Sequence, residues 1–242
     1  MKIKKVAYFT LVAGIAATAV FAELRRRNPK APDGAENNSG ITITAHTGCM
    51  DTEANSVESI IRGFEENADI VEIDLRFAED GTPIMSHDSP TGGEIPAAEA
   101  FKVLAQHKDK KMNIDVKTTD GLEAIPALAE EYGVTEQIFF TGIDENMVEA
   151  TKEKCPGIPY YINMSPEYPD EAVARIKELG GIGLNSHYSH INRAMVAACH
   201  EAGLLVSAWT CNGVDEIKRM INCGVDNITT RRPDRLFALL AK

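Results

Sequence analysis

No two cysteines in this chain are spaced as a CxxC pair, so a zinc knuckle has no support. The five that occur, Cys49, Cys155, Cys199, Cys211 and Cys223, are odd in number and far apart. That argues against a disulfide scaffold and for separate buried or unpaired thiols. An excess of positive charge is also missing. Lys and Arg number 25 against 36 Asp and Glu, for a formal net charge of −11. Six of those bases (Lys2, Lys4, Lys5, Arg25, Arg26, Arg27) fall in the first 27 residues beside one acid, Glu23, so the remainder is more acidic still. Such a domain repels polyanions, and no nucleic-acid partner is expected. A phosphate-ester substrate would need a metal ion or a local basic pocket to offset that field. Apolar residues are not scarce: they make up 44% of the 242 residues, enough for a sizeable core in one or two domains.

The N-terminus reads as a membrane signal. After Met-Lys-Ile-Lys-Lys, the seventeen residues Val6 to Ala22 carry no charge. As a helix they would span about 25 Å, slightly short of a hydrocarbon core. A basic start followed by an apolar stretch with small residues near its end also describes a secretory signal, with Val20-Phe21-Ala22 or Ala17-Thr18-Ala19 as cleavage sites. The length of the run and the immediate Arg25-Arg26-Arg27 favour an uncleaved anchor, and they leave both flanks basic. The expectation is a chain held on the outer face of the cell membrane by residues 1–27, or else secreted. A buried barrel helix is the plain alternative for the same stretch. Residues 28–40 read as a polar linker.

From residue 41 to 242 the pattern alternates. Eight short β-branched or apolar runs (41–45, 69–74, 112–116, 137–141, 159–163, 181–185, 204–209, 225–229) are separated mostly by helical stretches. Strand–helix alternation indicates a parallel sheet with right-handed crossovers. Eight units in about 200 residues indicate a compact α/β fold of the (β/α)8 TIM-barrel type, with a doubly wound open sheet as the alternative. A ninth strand-like piece, Pro83–His87, follows the second strand after only Phe77–Thr82, too short a gap for a parallel crossover. The Glu79-Asp80-Gly81 turn makes it a hairpin that folds His87 back toward Glu72 and Asp74.

In such barrels the chemistry lies at the carboxyl ends of the strands. Glu72 and Asp74 are two apart on a strand, hence on one face, and burying both is costly unless a cation pairs with them. Asp115 occupies a matching place on the next strand. Three oxygen ligands without a thiol suit a hard divalent cation, Mg²⁺ or Ca²⁺; solvated carboxylates, or a salt bridge to Lys117, are the plain alternative. His46 and His87 stand at neighbouring strand ends, and imidazoles can exchange protons near neutral pH. Each could instead be only a hydrogen-bonded structural residue. His187 and His190 are three apart, which is also a metal-ligand spacing, but no acid adjoins them.

These residues together resemble the glycerophosphodiester phosphodiesterase family. The counterparts of its motifs are His46-Thr47-Gly48, Asn55-Ser56, Glu72-Ile73-Asp74, Asp80-Gly81 with His87-Asp88, Asp115-Val116-Lys117 and Trp209-Thr210-Cys211-Asn212. Each motif is weak alone; their order and spacing are specific. The resemblance implies a TIM barrel, a divalent cation on Glu72, Asp74 and Asp115, and His46 and His87 as general base and general acid. It implies Lys117 on the phosphate, and Trp209 walling the glycerol or leaving-group side, with Asn212 also binding substrate. The implied reaction releases an alcohol and sn-glycerol 3-phosphate from a glycerophosphodiester or lysophospholipid-type substrate, by way of a cyclic phosphate.

The chain departs from that pattern at four places. Thr47 stands where the family has Arg, Asp115 where it has Glu, Ala54 where it has Glu, and Arg231 where it has Asp. The interval from His87 to Asp115 is also short, so a more open site is expected. Strands one and eight adjoin in a closed barrel, so Arg231, or Arg232, is expected to replace the missing guanidinium as a bidentate phosphate clamp. The plain alternative is a surface arginine. Two other functions fit the same barrel: a catalytically weak module that binds phospholipid head groups, and a phospholipase D-like lyase that stops at the cyclic phosphate.

Overall fold

A computed structural model describes residues 31, 32 and 34–241. The expected anchor or signal at residues 1–27, and the start of the linker, lie outside the described residues. No helix among the described residues is long and apolar enough to cross a membrane.

Among the described residues ten strands form: β1 (Thr42–Ala45), β2 (Ile70–Phe77), β3 (Pro83–Met85), β4 (Ile95–Pro96), β5 (Lys111–Val116), β6 (Ile138–Thr141), β7 (Ile162–Asn163), β8 (Gly183–His187), β9 (Leu205–Trp209) and β10 (Asn227–Thr230). Eight α-helices accompany them among the described residues: α1 (Val57–Glu65), α2 (Ala97–Leu104), α3 (Ala124–Tyr132), α4 (Val148–Lys154), α5 (Pro169–Leu179), α6 (Arg193–Glu201), α7 (Val214–Cys223) and α8 (Pro233–Leu240). Local chemistry starts several of them. Ser56 Oγ accepts from Ser59 N at 3.1 Å ahead of α1, and Asn192 Oδ1 accepts from Met195 N at 2.9 Å ahead of α6. Pro169 and Pro233 occupy first helical positions, where a missing N–H costs nothing.

All strands but β3 and β4 run parallel in the cyclic order β1, β2, β5, β6, β7, β8, β9, β10, with β10 back on β1 in the register Thr42 with Asn227 through Ala45 with Thr230. The weakest seam is β6 against β7. There the pairing shifts ahead of β7, where Phe140 N donates to Pro159 O and Tyr161 N to Phe140 O, each at 2.9 Å. The expected strand over 159–163 is therefore split between this bridge and a two-residue ladder with β8.

The excursion after β2 is a hairpin, as its turn residues imply. Leu75, Arg76 and Phe77 pair antiparallel with Met85, Ile84 and Pro83, on the edge of β2 that β1 leaves after Val71. Ser86 N donates to Asp74 O at 3.0 Å, which brings the returning chain beside the second carboxylate. Strand β4 then adds antiparallel to β3.

Outward-facing residues such as Ile43, Ile73, Ile114, Phe140, Leu184, Val206 and Ile228 are fully or nearly fully buried under the helices and supply the apolar core. The lumen is polar instead. Asn227 Oδ1 accepts from Thr44 Oγ1 at 2.7 Å while its Nδ2 donates to Ser207 Oγ at 3.0 Å. Thr141 Oγ1 donates to Asn113 Oδ1 at 2.9 Å, and Asn185 Nδ2 to Asn163 Oδ1 at 2.9 Å. Buried polar groups persist only when partnered, and these partner one another across strands.

Candidate active site

The strand ends surround a cavity of about 580 Å³ whose lining includes His46, Thr47, Glu72, Asp74, His87, Asp115, Lys117, Trp209 and Arg231. Eight of the nine expected site residues therefore lie on one wall or another of a single cavity. Asn212 is the exception and does not appear in that lining. Its Oδ1 accepts from Arg231 N at 2.8 Å and from Thr230 Oγ1 at 3.4 Å, so it ties β9 to β10 behind the lining.

Period-two geometry puts Glu72 and Asp74 inward together, and Asp74 pairs in register with Asp115 on β5. One oxygen from each of the three carboxylates lies within 4.8 Å of the others. Both β2 acids are almost wholly buried. Burial, then Asp74, then Asp115 push the Glu72 carboxyl well above its ordinary range; the Thr47 N–H, donating to Glu72 Oε2 at 2.7 Å, only partly compensates. Lys117 Nζ lies 2.7 Å from Asp74 Oδ1 and 2.5 Å from Asp115 Oδ2. Burial works against its ammonium, but Asp115 and Asp74 outweigh that and raise its pKa. Three carboxyl groups with oxygens in reach of one another, and a single ammonium among them, are a hard-donor set that fits a divalent cation.

Asn55, of the Asn55-Ser56 motif, holds this cluster in place. Its Nδ2 donates to Asp74 Oδ2 at 2.9 Å, and its Oδ1 accepts from Asp74 N at 3.0 Å. It does so from a left-handed backbone, φ 55°, that Asn tolerates better than most residues. The hydroxyl of Thr47 accepts from Asn55 N at 2.5 Å, so the residue in the usual arginine position braces that turn.

The two histidines differ in environment. The His46 side chain is 23% exposed and its Nδ1 is 2.8 Å from Thr47 O. A carbonyl only accepts, so Nδ1 carries the proton and the neutral ring keeps its lone pair on Nε2. Burial lowers the His46 pKa, and nearby Arg231 adds to that against the pull of Asp74 and Asp115. His87 is 68% exposed at the cavity mouth, with Nδ1 donating to Asp88 Oδ1 at 2.9 Å.

Of the two candidate clamps, only Arg231 lines the cavity, with Nε donating to Thr47 O at 3.3 Å. Arg232 is held by both oxygens of Asp234, at 2.9 and 2.5 Å. Trp209 stands on the opposite side of β10 from His46, with the His187 ring edge-on at 5.5 Å.

A closed barrel of eight parallel strands with its acids and histidines at the carboxyl ends defines the class, a TIM-barrel enzyme. The model of the glycerophosphoryl diester phosphodiesterase family matches residues 45–119 and 94–235. The chain belongs to this family and is an enzyme of the phosphodiesterase class. A glycerophosphodiester phosphodiesterase of Caldanaerobacter subterraneus is 24% identical over 245 residues, covering 83% of this chain and 98% of that protein. The crystal structure of one from Parabacteroides distasonis superposes with a TM-score of 0.72 at 20% identity, covering 83% of this chain and 97% of that one. A phosphodiesterase of Oleispira antarctica, solved with its product sn-glycerol 3-phosphate, gives 0.67 at 23%, covering 82% and 96%.

Proposed function

We propose that this chain hydrolyses glycerophosphodiesters to an alcohol and sn-glycerol 3-phosphate with the help of a divalent cation, Mg²⁺ or Ca²⁺. The observation that carries the reading is the juxtaposition of Glu72, Asp74 and Asp115 with His46, His87 and Arg231 in one cavity. The three carboxylates would hold the cation, which when bound supplies positive charge to the non-bridging phosphate oxygens. Arg231 adds a planar guanidinium for the same oxygens, and Lys117 a point charge.

His46, kept neutral by burial, takes a proton on Nε2 from the glycerol hydroxyl next to the ester. That oxygen forms a bond to phosphorus while the bond to the leaving alcohol breaks, and His87 gives the departing oxygen its proton. The resulting cyclic phosphate is opened by water, with the two histidines exchanging roles. Trp209 excludes water on the far wall. Product capture in the Oleispira antarctica enzyme supports the glycerol 3-phosphate half of the substrate.

Phosphorus NMR on glycerophosphocholine, glycerophosphoethanolamine and glycerophosphoglycerol, with and without chelator, tests the reading. A phosphomonoester formed only with cation is expected. A cyclic ester as the final product would make the enzyme a lyase, and activity that survives both chelation and His46→Ala would refute the mechanism.

A further inference from the structure

Glu216 lies outside the cavity lining, in the first turn of α7, yet it receives hydrogen bonds from two strand-end loops. Its Oε2 accepts from Asn212 N at 3.0 Å and from Gly213 N at 2.9 Å, just after β9. Its Oε1 accepts from Tyr188 OH at 3.1 Å, just after β8. A carboxylate at a helix N-terminus is ordinarily a cap and nothing more. Here two of its three donors lead on to the cavity wall.

The first path runs toward the arginine. Asn212, pinned through its N–H to Glu216, accepts from Arg231 N on its side-chain oxygen. Arg231 Nε in turn donates to Thr47 O, and Thr47 N donates to Glu72. The second path runs toward the aromatic wall. The Tyr188 ring packs on His187 at 4.3 Å between centroids, and His187 meets Trp209 at 5.5 Å. Arg219, three residues on from Glu216, seconds this hold with its guanidinium 5.4 Å over the Tyr188 ring. One carboxylate on the outer helix is thus joined, through the Arg231 main chain on one path and through two ring contacts on the other, to both Arg231 and Trp209.

We infer that Glu216 is a positioning residue for substrate, setting Arg231 and Trp209 through Asn212 and Tyr188; the inference rests on the reaction proposed above. Burial alone would raise its pKa, but the bonds from Gly213, Tyr188 and Asn212 outweigh that and hold it below the ordinary carboxylate value, which favours the ionised acceptor.

The test uses the full chain and two readouts. One is the protected Nε–H signal of Arg231 by proton–nitrogen NMR, assigned by its loss in Arg231→Lys. The other is KM and kcat for glycerophosphocholine. Glu216→Ala is expected to abolish the signal's protection and raise KM by about tenfold, with a smaller change in kcat. Glu216→Gln keeps an acceptor for the two amides and is expected to restore both most of the way. Asn192→Ala removes the cap of the neighbouring α6 and is expected to lower the melting temperature alone. A protected signal and wild-type KM in Glu216→Ala, with only the melting temperature reduced, would overturn the inference. Lack of turnover by the wild-type chain would count against the reaction instead, and the Nε–H signal would still decide the role of Glu216.

Discussion

At the scale of single residues, His46 and Arg231 make the sharpest claims. His46 must be neutral to take a proton. Burial lowers its pKa below 6.5, so at saturating cation the acid limb of kcat/KM should lie below pH 6.5, with activity lost as pH falls through the lowered value. His46→Gln should reduce kcat by about 10²–10⁴-fold and remove that limb, which a pH series of initial rates would show. Arg231→Ala should raise KM by about ten- to a hundredfold, the scale of a hydrogen bond to a charged group. Arg232→Ala should leave KM unchanged, because Asp234 already takes that side chain. Wild-type kcat/KM in both variants would remove the clamp from the mechanism.

The same scale shows what could be read before any coordinates. Glu72 and Asp74 were legible because two acids on one face of a barrel strand need an explanation that surface acids do not. Asn55 was legible as part of a motif but its part was not, because that lies in a left-handed turn and two bonds to Asp74, a pairing no local pattern encodes. Asn212 was legible as a strand-end polar residue, but its bond to the Arg231 main chain joins residues nineteen apart and could be seen only in the fold.

Among the elements, alternation exposed eight strands because each needs one apolar face toward the helices, and that face repeats every second residue. The hairpin was legible from a gap too short to cross over. Strand ends were less so. β2 runs on to Phe77 because β3 offers it a partner there, and β7 shrinks to two residues because its neighbours meet the chain ahead of it. Between β6 and α4, Gly142 packs where no side chain fits. Its φ is 76°, and a Cβ would fall 2.5 Å from both Asp115 Oδ1 and Val116 O. Gly142→Ala should therefore destabilise by about 1–3 kcal/mol and weaken cation binding by shifting Asp115. Gly133→Ala, at φ 64° with open space around it, should cost about 1 kcal/mol and leave cation binding alone. Urea melts with and without cation separate the two; equal cation responses would show that Asp115 is not held by this contact.

Across the whole molecule, polar contacts run round the barrel mouth. From β8 they pass through Glu216 and Asn212 to β10, through Arg231 to β1, through Thr47 to β2, through Lys117 and Thr141 to β6, and through Asn163 back to β8. A rim so tied should respond as a unit to charge at its centre, and Glu72 supplies the handle. Its pKa in the metal-free fold is raised above the 4.5 of an unfolded chain, chiefly by burial and then by Asp74 and Asp115. Between those two values the fold holds a proton that the unfolded chain has lost, so its contribution is full below pH 4.5 and is lost as pH rises through the raised value. His46 works the other way, its lowered pKa costing stability as pH falls below 6.5, so the comparison must be made against Glu72→Gln, which keeps His46. Without cation, the stability of the wild type relative to Glu72→Gln should decline as pH rises from 4.5. With cation at a hundred times its Kd, the wild type should regain about 2.7 kcal/mol and Glu72→Gln far less. Parallel pH curves, or equal gains from cation in denaturant melts of the two proteins, would mean that the negative charge in the lumen is balanced within the protein, by Lys117 above all, and not by a metal.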